Sequence, residues 1–169
     1  MKPTQAKGPY QAQAKITIKA SQAKTWALLS EFDNVYKWVP SIKESYGMGK
    51  KEVGLGHSRH CKIKGFGGID EHITVWEEGE GFEYEISPVG PLHGATSRWE
   101  LSTTENGDTL LTVTLVYSIR LSIIGKMMHK LMMRNKLKNN LDSIVKTVQS
   151  VLEDEHASKD FFAKDMKAA

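Results

Sequence analysis

The sequence predicts an α+β fold in which an antiparallel sheet of seven strands packs against a long C-terminal helix. Three observations lead to this prediction. Apolar and polar residues alternate in residues 14–20 and in six segments between residues 42 and 120, which is the period of half-buried strands. Turn-forming residues separate those six segments by hairpin lengths, so neighbouring strands should be antiparallel. After residue 122 the apolar period changes to that of a helix.

Composition and length indicate one soluble globular domain. The chain has 169 residues, of which 40% are hydrophobic and 25% charged, as is usual for a single folded domain. The one cysteine, Cys61, excludes a disulfide framework and a multi-cysteine zinc module, and it fits a reducing compartment. The net charge of +3 does not predict nucleic acid as a partner. No apolar run approaches the ~20 residues of a membrane span. We therefore expect a cytoplasmic protein without a metal, a cofactor or an obligate protein partner.

The first strand is predicted at residues 14–20 and is followed by two short helices. Ser21 stands in the position of an N-cap for the first helix. A second helical segment is predicted at 35–38 and should end before Pro40, because the residue preceding a proline is disfavoured in a helix. The apolar residues at helical spacing that predict the first helix are Trp26, Leu29 and Phe32.

The sheet continues through six further strands and ends in a helix of more than thirty residues. Glycine, proline and Asn106-Gly107 turns separate the strands. The helix is predicted from about residue 122 to 159, where there is no proline and Gly125 is the only glycine. We expect a core at about 14–155 with loose termini at 1–12 and 157–169. The predicted strands are 42–48, 58–63, 69–77, 82–89, 95–103 and 109–120.

The strand faces separate apolar from polar side chains. Residues of one face share parity along a strand, so each strand can be assigned an apolar and a polar side. The apolar side should face the helix and carries Arg59, Cys61, Ile63, Ile69, Glu71, Ile73, Val75, Phe82, Tyr84, Ile86, Ser97, Trp99, Leu101, Leu111, Val113, Leu115 and Tyr117. The other side should face water and carries Lys62, Asp70, His72, Thr74, Glu83, Glu85, Arg98, Glu100, Thr112 and Thr114.

Arg59 and Glu71 are the two charged residues on the apolar side. If the glycine-rich run at 64–68 forms the hairpin loop, Cys61 pairs near Glu71 and Arg59 pairs near Ile73, so that Arg59 and Glu71 are diagonal neighbours. A buried charge needs a partner. Two interpretations remain open at this stage. The residues form a structural ion pair or reach water at the sheet rim, or they form a polar anchor inside a ligand cavity.

Local motifs and the order of elements resemble the START/SRPBCC superfamily and its helix-grip fold. The opening of the family resembles residues 20–33, ASQAKTWALLSEFD, and Trp38-Val-Pro40. The central strands resemble Arg59-His-Cys61, residues 68–71 and residues 76–79, and the last hairpin resembles Trp99-Glu-Leu101 and residues 107–114. The resemblance covers about residues 14–155. It implies a curved sheet wrapped around the long helix, with a deep cavity between them.

The resemblance also implies a function, because members of the superfamily bind lipids, sterols, quinones, polyketides or plant hormones in that cavity. We expect binding or transfer of a hydrophobic or amphipathic small molecule. The alternative is an enzyme of the polyketide cyclase or dehydratase type, in which Glu71 would exchange a proton and Arg59 would hold a developing enolate. The residues expected to line the cavity are Arg59, Cys61, Glu71, Ile73, Tyr84, Ile86, Trp99, Tyr117, Met128 and Leu131.

Two further features lie outside the predicted cavity, namely a basic segment of the helix and a pair of histidines. Basic residues of the helix predict transient contact with an anionic membrane through Lys126, Lys130 and Arg134. The same basic helix could instead contact a protein partner. His60 and His72 are predicted neighbours on the outer face, but two imidazoles fall short of the three protein ligands of a catalytic zinc site, so they are interpreted as solvated side chains.

Overall fold

The computed structural model describes residues 8–119 and 133–154. These residues form seven strands, two α-helices and one short 3-10 helix. In chain order the elements are β1 (Tyr10–Ile18), α1 (Gln22–Leu29), the 3-10 helix (Phe32–Lys37), β2 (Ile42–Met48), β3 (Ser58–Ile63), β4 (Gly67–Glu77), β5 (Gly81–Ile86), β6 (Leu92–Thr103), β7 (Thr109–Ile119) and α2 (Arg134–Glu153).

The strands form one antiparallel sheet in the order β1-β7-β6-β5-β4-β3-β2. The predicted α+β class and all seven predicted strands are therefore confirmed, and β2 and β3 have the predicted bounds. β1 begins earlier than the sequence pattern predicts. Residues 10–12 are part of it because they pair with β7, where the Tyr10 ring stacks on Tyr117 with ring centroids 5.6 Å apart.

The short helices cover part of the inner face, which is the face of the sheet that α2 packs against. Ser21 caps α1 as predicted, since its side-chain oxygen accepts a hydrogen bond from the backbone N–H of Lys24 at 3.2 Å. Trp26 of α1 is buried against the rings of Trp76 and Phe82, at centroid distances of 4.9 and 6.2 Å. Burial of these rings fixes α1 on the sheet.

α2 lies mainly across β1 at one end of the sheet, with fewer contacts to β7. Its buried residues are four apolar side chains at helical spacing, which pack into the core with Ala12, Ala14 and Ile18 of β1. Three hydrogen bonds fix the C-terminal end of the helix. Gln149 Nε2 donates to Thr17 O at 2.9 Å, Lys24 Nζ donates to Leu152 O at 3.1 Å, and the backbone N–H of Lys19 donates to a Glu153 carboxylate oxygen at 2.8 Å. The four buried residues are Leu141, Val145, Val148 and Leu152.

The helix is shorter at its C-terminal end than the pattern predicts. It ends at Glu153, and the backbone of Asp154 is extended with φ −81° and ψ 112°. Three consecutive acidic residues, 153–155, stand here, and negative charge at a helix C-terminus opposes the helix dipole. The predicted start of the helix and Gly125 lie outside the described residues.

The β3–β4 register differs from the predicted register by two residues. Gly67 and Gly68, predicted to lie in the loop, belong to β4, so the turn closes over residues 64–66. Arg59 is therefore directly opposite Glu71, and Cys61 is opposite Ile69. Parity is unchanged, so the predicted face assignment of these residues holds. The prediction that Arg59 and Glu71 are diagonal neighbours was wrong, because they are directly opposite each other.

The predicted inner face was wrong at Val75, because β4 contains a β-bulge at Thr74. The register shifts between Ile73 and Val75, so Val75 lies opposite Glu83 on the outer face. Trp76 takes the inward position opposite Phe82, and the two rings stack with centroids 5.6 Å apart. An extra residue in one strand of a pair inverts the side-chain alternation beyond it, which no two-residue pattern reveals.

The outer face is less solvated than predicted. Glu83, Arg98 and Thr114 are buried there, with 4%, 6% and 9% of their surface exposed. Arg98 lies between Glu83 and Thr114 in the register and forms ion pairs with Glu83 at 3.2 Å and with Glu100 at 3.0 Å. A long arginine stem lies along its strand neighbours while its charge is compensated by two carboxylates, so burial is tolerated here.

No helix within residues 8–119 and 133–154 is long and apolar enough to cross a membrane.

Candidate ligand-binding site

The inner face carries one buried group of polar side chains, which we call the polar centre (Arg59, Cys61 and Glu71). Only 4% of Arg59 and 5% of Glu71 is exposed. β3 and β4 place the two residues opposite each other, and Arg59 Nε donates a hydrogen bond to Glu71 Oε2 in a direct ion pair. Cys61 donates its thiol hydrogen to the same oxygen at 3.5 Å. The charges are thus removed from water but compensated.

The 3-10 helix supplies a second partner for Arg59. A guanidinium N–H donates to the backbone carbonyl of Phe32, at the start of that helix. The guanidinium carbon is 3.6 Å from the Phe32 ring centroid and 5.5 Å from that of Tyr84. A cation above aromatic faces is attracted by the ring quadrupole, and the attraction is stronger when water is excluded.

Arg59, Cys61 and Tyr84 all keep their protons near neutral pH. Burial lowers the pKa of Arg59, but the Glu71 charge, the interactions with Cys61 and Tyr84 and the hydrogen bond to Glu71 together outweigh it, so the pKa is raised overall. Burial, followed by the Glu71 charge, raises the pKa of the Tyr84 phenol. Burial and then Glu71 raise the pKa of the Cys61 thiol to about 12. The region therefore presents a neutral pair of charges and two neutral donors.

Aromatic rings surround the polar centre and form what we call the aromatic wall (Phe32, Phe82, Tyr84 and Trp99). Phe82 stacks on Trp99 at a centroid distance of 5.8 Å, and Phe32 meets Tyr84 edge to face at 5.5 Å. The Trp99 indole donates to Ser97 Oγ at 3.0 Å. An apolar aromatic surface with few polar groups is the usual lining of a small-molecule site.

The described residues include the linings of two clefts. One, of about 240 Å³, lies between α2 and the segment after the 3-10 helix, and its lining consists of Val39, Pro40, Ser41, Asn140, Ser143, Ile144 and Thr147. The other, of about 320 Å³, includes Glu71 and Ile86, and the rest of its lining consists of Met48, Ser58, Asp70, His72, Glu85, Ser87 and Pro88. Within the described ranges no three His, Cys, Asp or Glu side chains converge on a metal position.

Some of the predicted site residues share the inner face, whereas others lie elsewhere or outside the described residues. Tyr117 is buried on β7 but stacks on Tyr10, so its ring belongs to the β1 end of the sheet. Met128 and Leu131 lie outside the described residues, as do Lys126 and Lys130 of the predicted membrane contact, while Arg134 is exposed at the start of α2. Membrane contact stays a prediction. The predicted residues that share the inner face around the aromatic wall are Arg59, Cys61, Glu71, Ile73, Tyr84, Ile86 and Trp99.

Sequence reasoning missed a second polar pair beside the polar centre, formed by buried His57 and half-buried Asp33. His57 is 3% exposed, and its ring nitrogens lie 2.8 Å from an Asp33 carboxylate oxygen and 2.8 Å from the Lys51 carbonyl. The pair ties the 3-10 helix to the β2–β3 loop. The sequence contains one indication of this pair, the glycine at position 47 in β2. A Cβ on Gly47 would lie 2.4 Å from Asp33 Oδ2, and a glycine inside a strand marks such a close approach.

Cys61 should be inert in the folded protein. With its pKa at about 12, a minute fraction of the thiol is ionised at pH 8, and the group is fully buried. We expect the native protein to react with Ellman's reagent at least about 100-fold more slowly than the urea-unfolded chain, because the thiolate is the nucleophile. Stopped-flow absorbance measures both rates, and Cys61→Ser supplies the blank. Equal rates would contradict the burial described here.

Comparison with known proteins supports the fold and gives the family. The family described as polyketide cyclase / dehydrase and lipid transport matches residues 10–153. No curated protein sequence matches the chain. A START superfamily protein from Mycobacterium smegmatis has a TM-score of 0.69 at 16% identity, covering 85% of this chain and 97% of that one. The protein XoxI from Bacillus cereus has a TM-score of 0.68 at 17% identity, covering 85% and 96%.

Identities this low relate these structures by fold alone, whereas the family match spans most of the chain. The predicted helix-grip fold is confirmed. The chain belongs to the polyketide cyclase / dehydrase and lipid transport family.

Proposed function

We propose that this protein binds or transfers a hydrophobic or amphipathic small molecule, held between the inner face of the sheet and the C-terminal helix. Family membership supports this, since lipid transport is one of the activities the family is described by. The observation that carries the proposal is the polar centre, a compensated ion pair buried in an otherwise apolar and aromatic face. Such a group orients an apolar ligand without repelling it.

Hydrogen bonding favours an anchoring role for the polar centre over an enzymatic one. Glu71 Oε2 accepts from both Arg59 and Cys61, and Arg59 also donates to the Phe32 carbonyl. A general acid or base must reach a substrate proton, and an oxyanion donor must be free for the developing charge. Groups already bonded to one another are suited to fixing ligand orientation. We therefore favour binding over cyclase or dehydratase chemistry.

Native mass spectrometry of freshly purified protein, with solvent extraction of the released material, tests the proposal directly. We expect a discrete added mass that disappears after denaturation. If the protein is isolated without a ligand, incubation with oleic acid, cholesterol and 2-acetylnaphthalene should yield at least one complex. A protein that carries no small molecule and takes up none of the three would contradict the proposal.

Glu71→Gln separates binding from catalysis. If the carboxylate only anchors, the variant should bind the extracted ligand with an affinity reduced by about 10-fold or less, the scale of one lost charged hydrogen bond. The ligand should also leave the protein chemically unchanged. Glu44→Gln, an exposed carboxylate on β2 that lines neither cleft, is the matched control and should bind like the natural protein. Conversion of the ligand by the natural protein, abolished in Glu71→Gln while binding persists, would replace the binding proposal with the enzymatic one.

A further inference from the structure

The four tryptophans differ in how their indole N–H groups are used. Three donate hydrogen bonds inside the protein. Trp26 and Trp76 donate to the two carboxylate oxygens of Glu78 at 2.7 and 3.1 Å, and Trp99 donates to Ser97 at 3.0 Å. The fourth, Trp38, does not. Its Nε1 is buried, and no partner for it lies within the part of the chain that the structure describes.

An unpartnered N–H is costly in this position. Trp38 is 7% exposed, and its ring meets Trp99 edge to face at 6.4 Å. Burying a donor without an acceptor loses its hydrogen bonds to water without replacement. A phenylalanine would fill much of the same space without that loss. The indole N–H is thus unfavourable among the described residues alone, and an acceptor from elsewhere would remove that cost.

The residues that follow Trp38 in the chain line a cleft that could admit a ligand. Trp38 directly precedes the three residues, 39–41, that form one wall of the cleft against α2. On its other side Trp99 belongs to the aromatic wall, which continues to the polar centre. A molecule held between the inner face and α2 would therefore meet apolar rings, one free N–H and a charge pair that is already neutral.

We propose that Trp38 Nε1 donates a hydrogen bond to a neutral oxygen acceptor of the bound molecule, so that the ligand class is a carbonyl-bearing apolar compound. This rests on the proposed function and specifies its ligand. One neutral N–H satisfies one carbonyl oxygen, whereas it leaves a buried carboxylate largely uncompensated. Arg59 cannot supply the missing charge, because its guanidinium is neutralised by Glu71.

The indole region of a ¹⁵N–¹H spectrum tests the proposal, since each tryptophan gives one cross-peak. The probes are a matched pair, 2-acetylnaphthalene and 2-ethylnaphthalene, which differ in the carbonyl oxygen. We expect the ketone to move the Trp38 proton downfield and to bind about 10-fold more tightly than the hydrocarbon, the scale of one hydrogen bond. The cross-peaks of Trp26, Trp76 and Trp99 should not show the downfield shift, because their protons are already bonded.

Trp38→Phe assigns the cross-peak and should bind the two probes equally. Its ligand-free form should lose only the packing of the larger ring, because no hydrogen bond to the described residues is lost. Trp76→Phe is the control. It removes an indole that donates to Glu78, so it should keep the preference for the ketone.

The outcomes separate this proposal from the proposed function. If both probes bind equally and the Trp38 proton is unmoved, the carbonyl assignment is overturned while small-molecule binding stands. A Trp38 proton already downfield in the ligand-free protein would indicate an acceptor other than a ligand, either a buried water or a residue outside the described ranges, and would also overturn it. If neither probe binds, both proposals are contradicted for ligands of this size.

Discussion

Replacing Arg59 with methionine is expected to lower the free energy of unfolding by about 3–5 kcal/mol, because Glu71 would then be buried as an unpaired charge. For a domain of this size the loss corresponds to a fall of about 10 °C in Tm. The variant also removes the hydrogen bond to the Phe32 carbonyl and the cation above its ring. Urea unfolding followed by circular dichroism measures the change.

Two further variants show whether the unpaired charge is the cause. The double variant Arg59→Met/Glu71→Leu removes both charges and should recover most of the lost stability, since replacing a whole buried pair by apolar residues is often neutral. Lys62→Met, an exposed neighbour on β3, should change the free energy of unfolding by less than about 0.5 kcal/mol. A double variant no more stable than Arg59→Met would show that the pair contributes through packing instead.

Gly81→Ala is expected to be destabilising by about 4 kcal/mol, since overpacking against rigid backbone adds to the cost of a left-handed conformation. Gly81 has φ +142°, and a Cβ there would lie 2.0 Å from the Trp99 carbonyl oxygen on β6. Relief requires β5 and β6 to separate, which would displace the stack of Phe82 on Trp99 in the aromatic wall. Near-ultraviolet circular dichroism should lose its tryptophan signal in parallel with stability.

Gly94→Ala is the matched control on the adjoining strand. A Cβ at Gly94 meets nothing within 4 Å, and its backbone needs no left-handed conformation. The substitution should leave stability within about 1 kcal/mol of the natural protein. If the two alanine variants are equally stable, the close approach of β5 and β6 at Gly81 is not a constraint on the fold.

Most of the sheet could be predicted from the sequence because half-buried strands alternate and glycine turns separate them. The errors have local causes. Gly67 and Gly68 have turn chemistry yet form the start of β4, which moved the register by two residues. The bulge at Thr74 carries no composition signal, and it exchanged Val75 for Trp76 on the inner face. Burial of Arg98 depended on its cross-strand neighbours, which a single strand pattern does not contain.

The sequence predicted residues of the candidate site only where a charged side chain occurs on an otherwise apolar strand face. Arg59 and Glu71 were found because two charges interrupt an apolar face, and the structure joins them directly. The Phe32 carbonyl could not be found, since a backbone acceptor leaves no mark on the sequence. Asp33 and His57 are far apart in the chain and meet only after the β2–β3 loop folds. The missing hydrogen-bond partner of the Trp38 indole could be recognised only in the structure, where the other three indole N–H groups all have acceptors.

The hydrogen bonds that α2 makes to the rest of the protein lie at its C-terminal end. Its last five residues include three that hydrogen-bond to β1, to α1 or to the loop between them, whereas its first seven residues, 134–140, are all exposed or half-buried. Local opening costs least where few side chains are buried. Among the described residues, we therefore expect the helix to open first at 134–140 while Leu152 stays in place, and a ligand bound as proposed would exchange from that side.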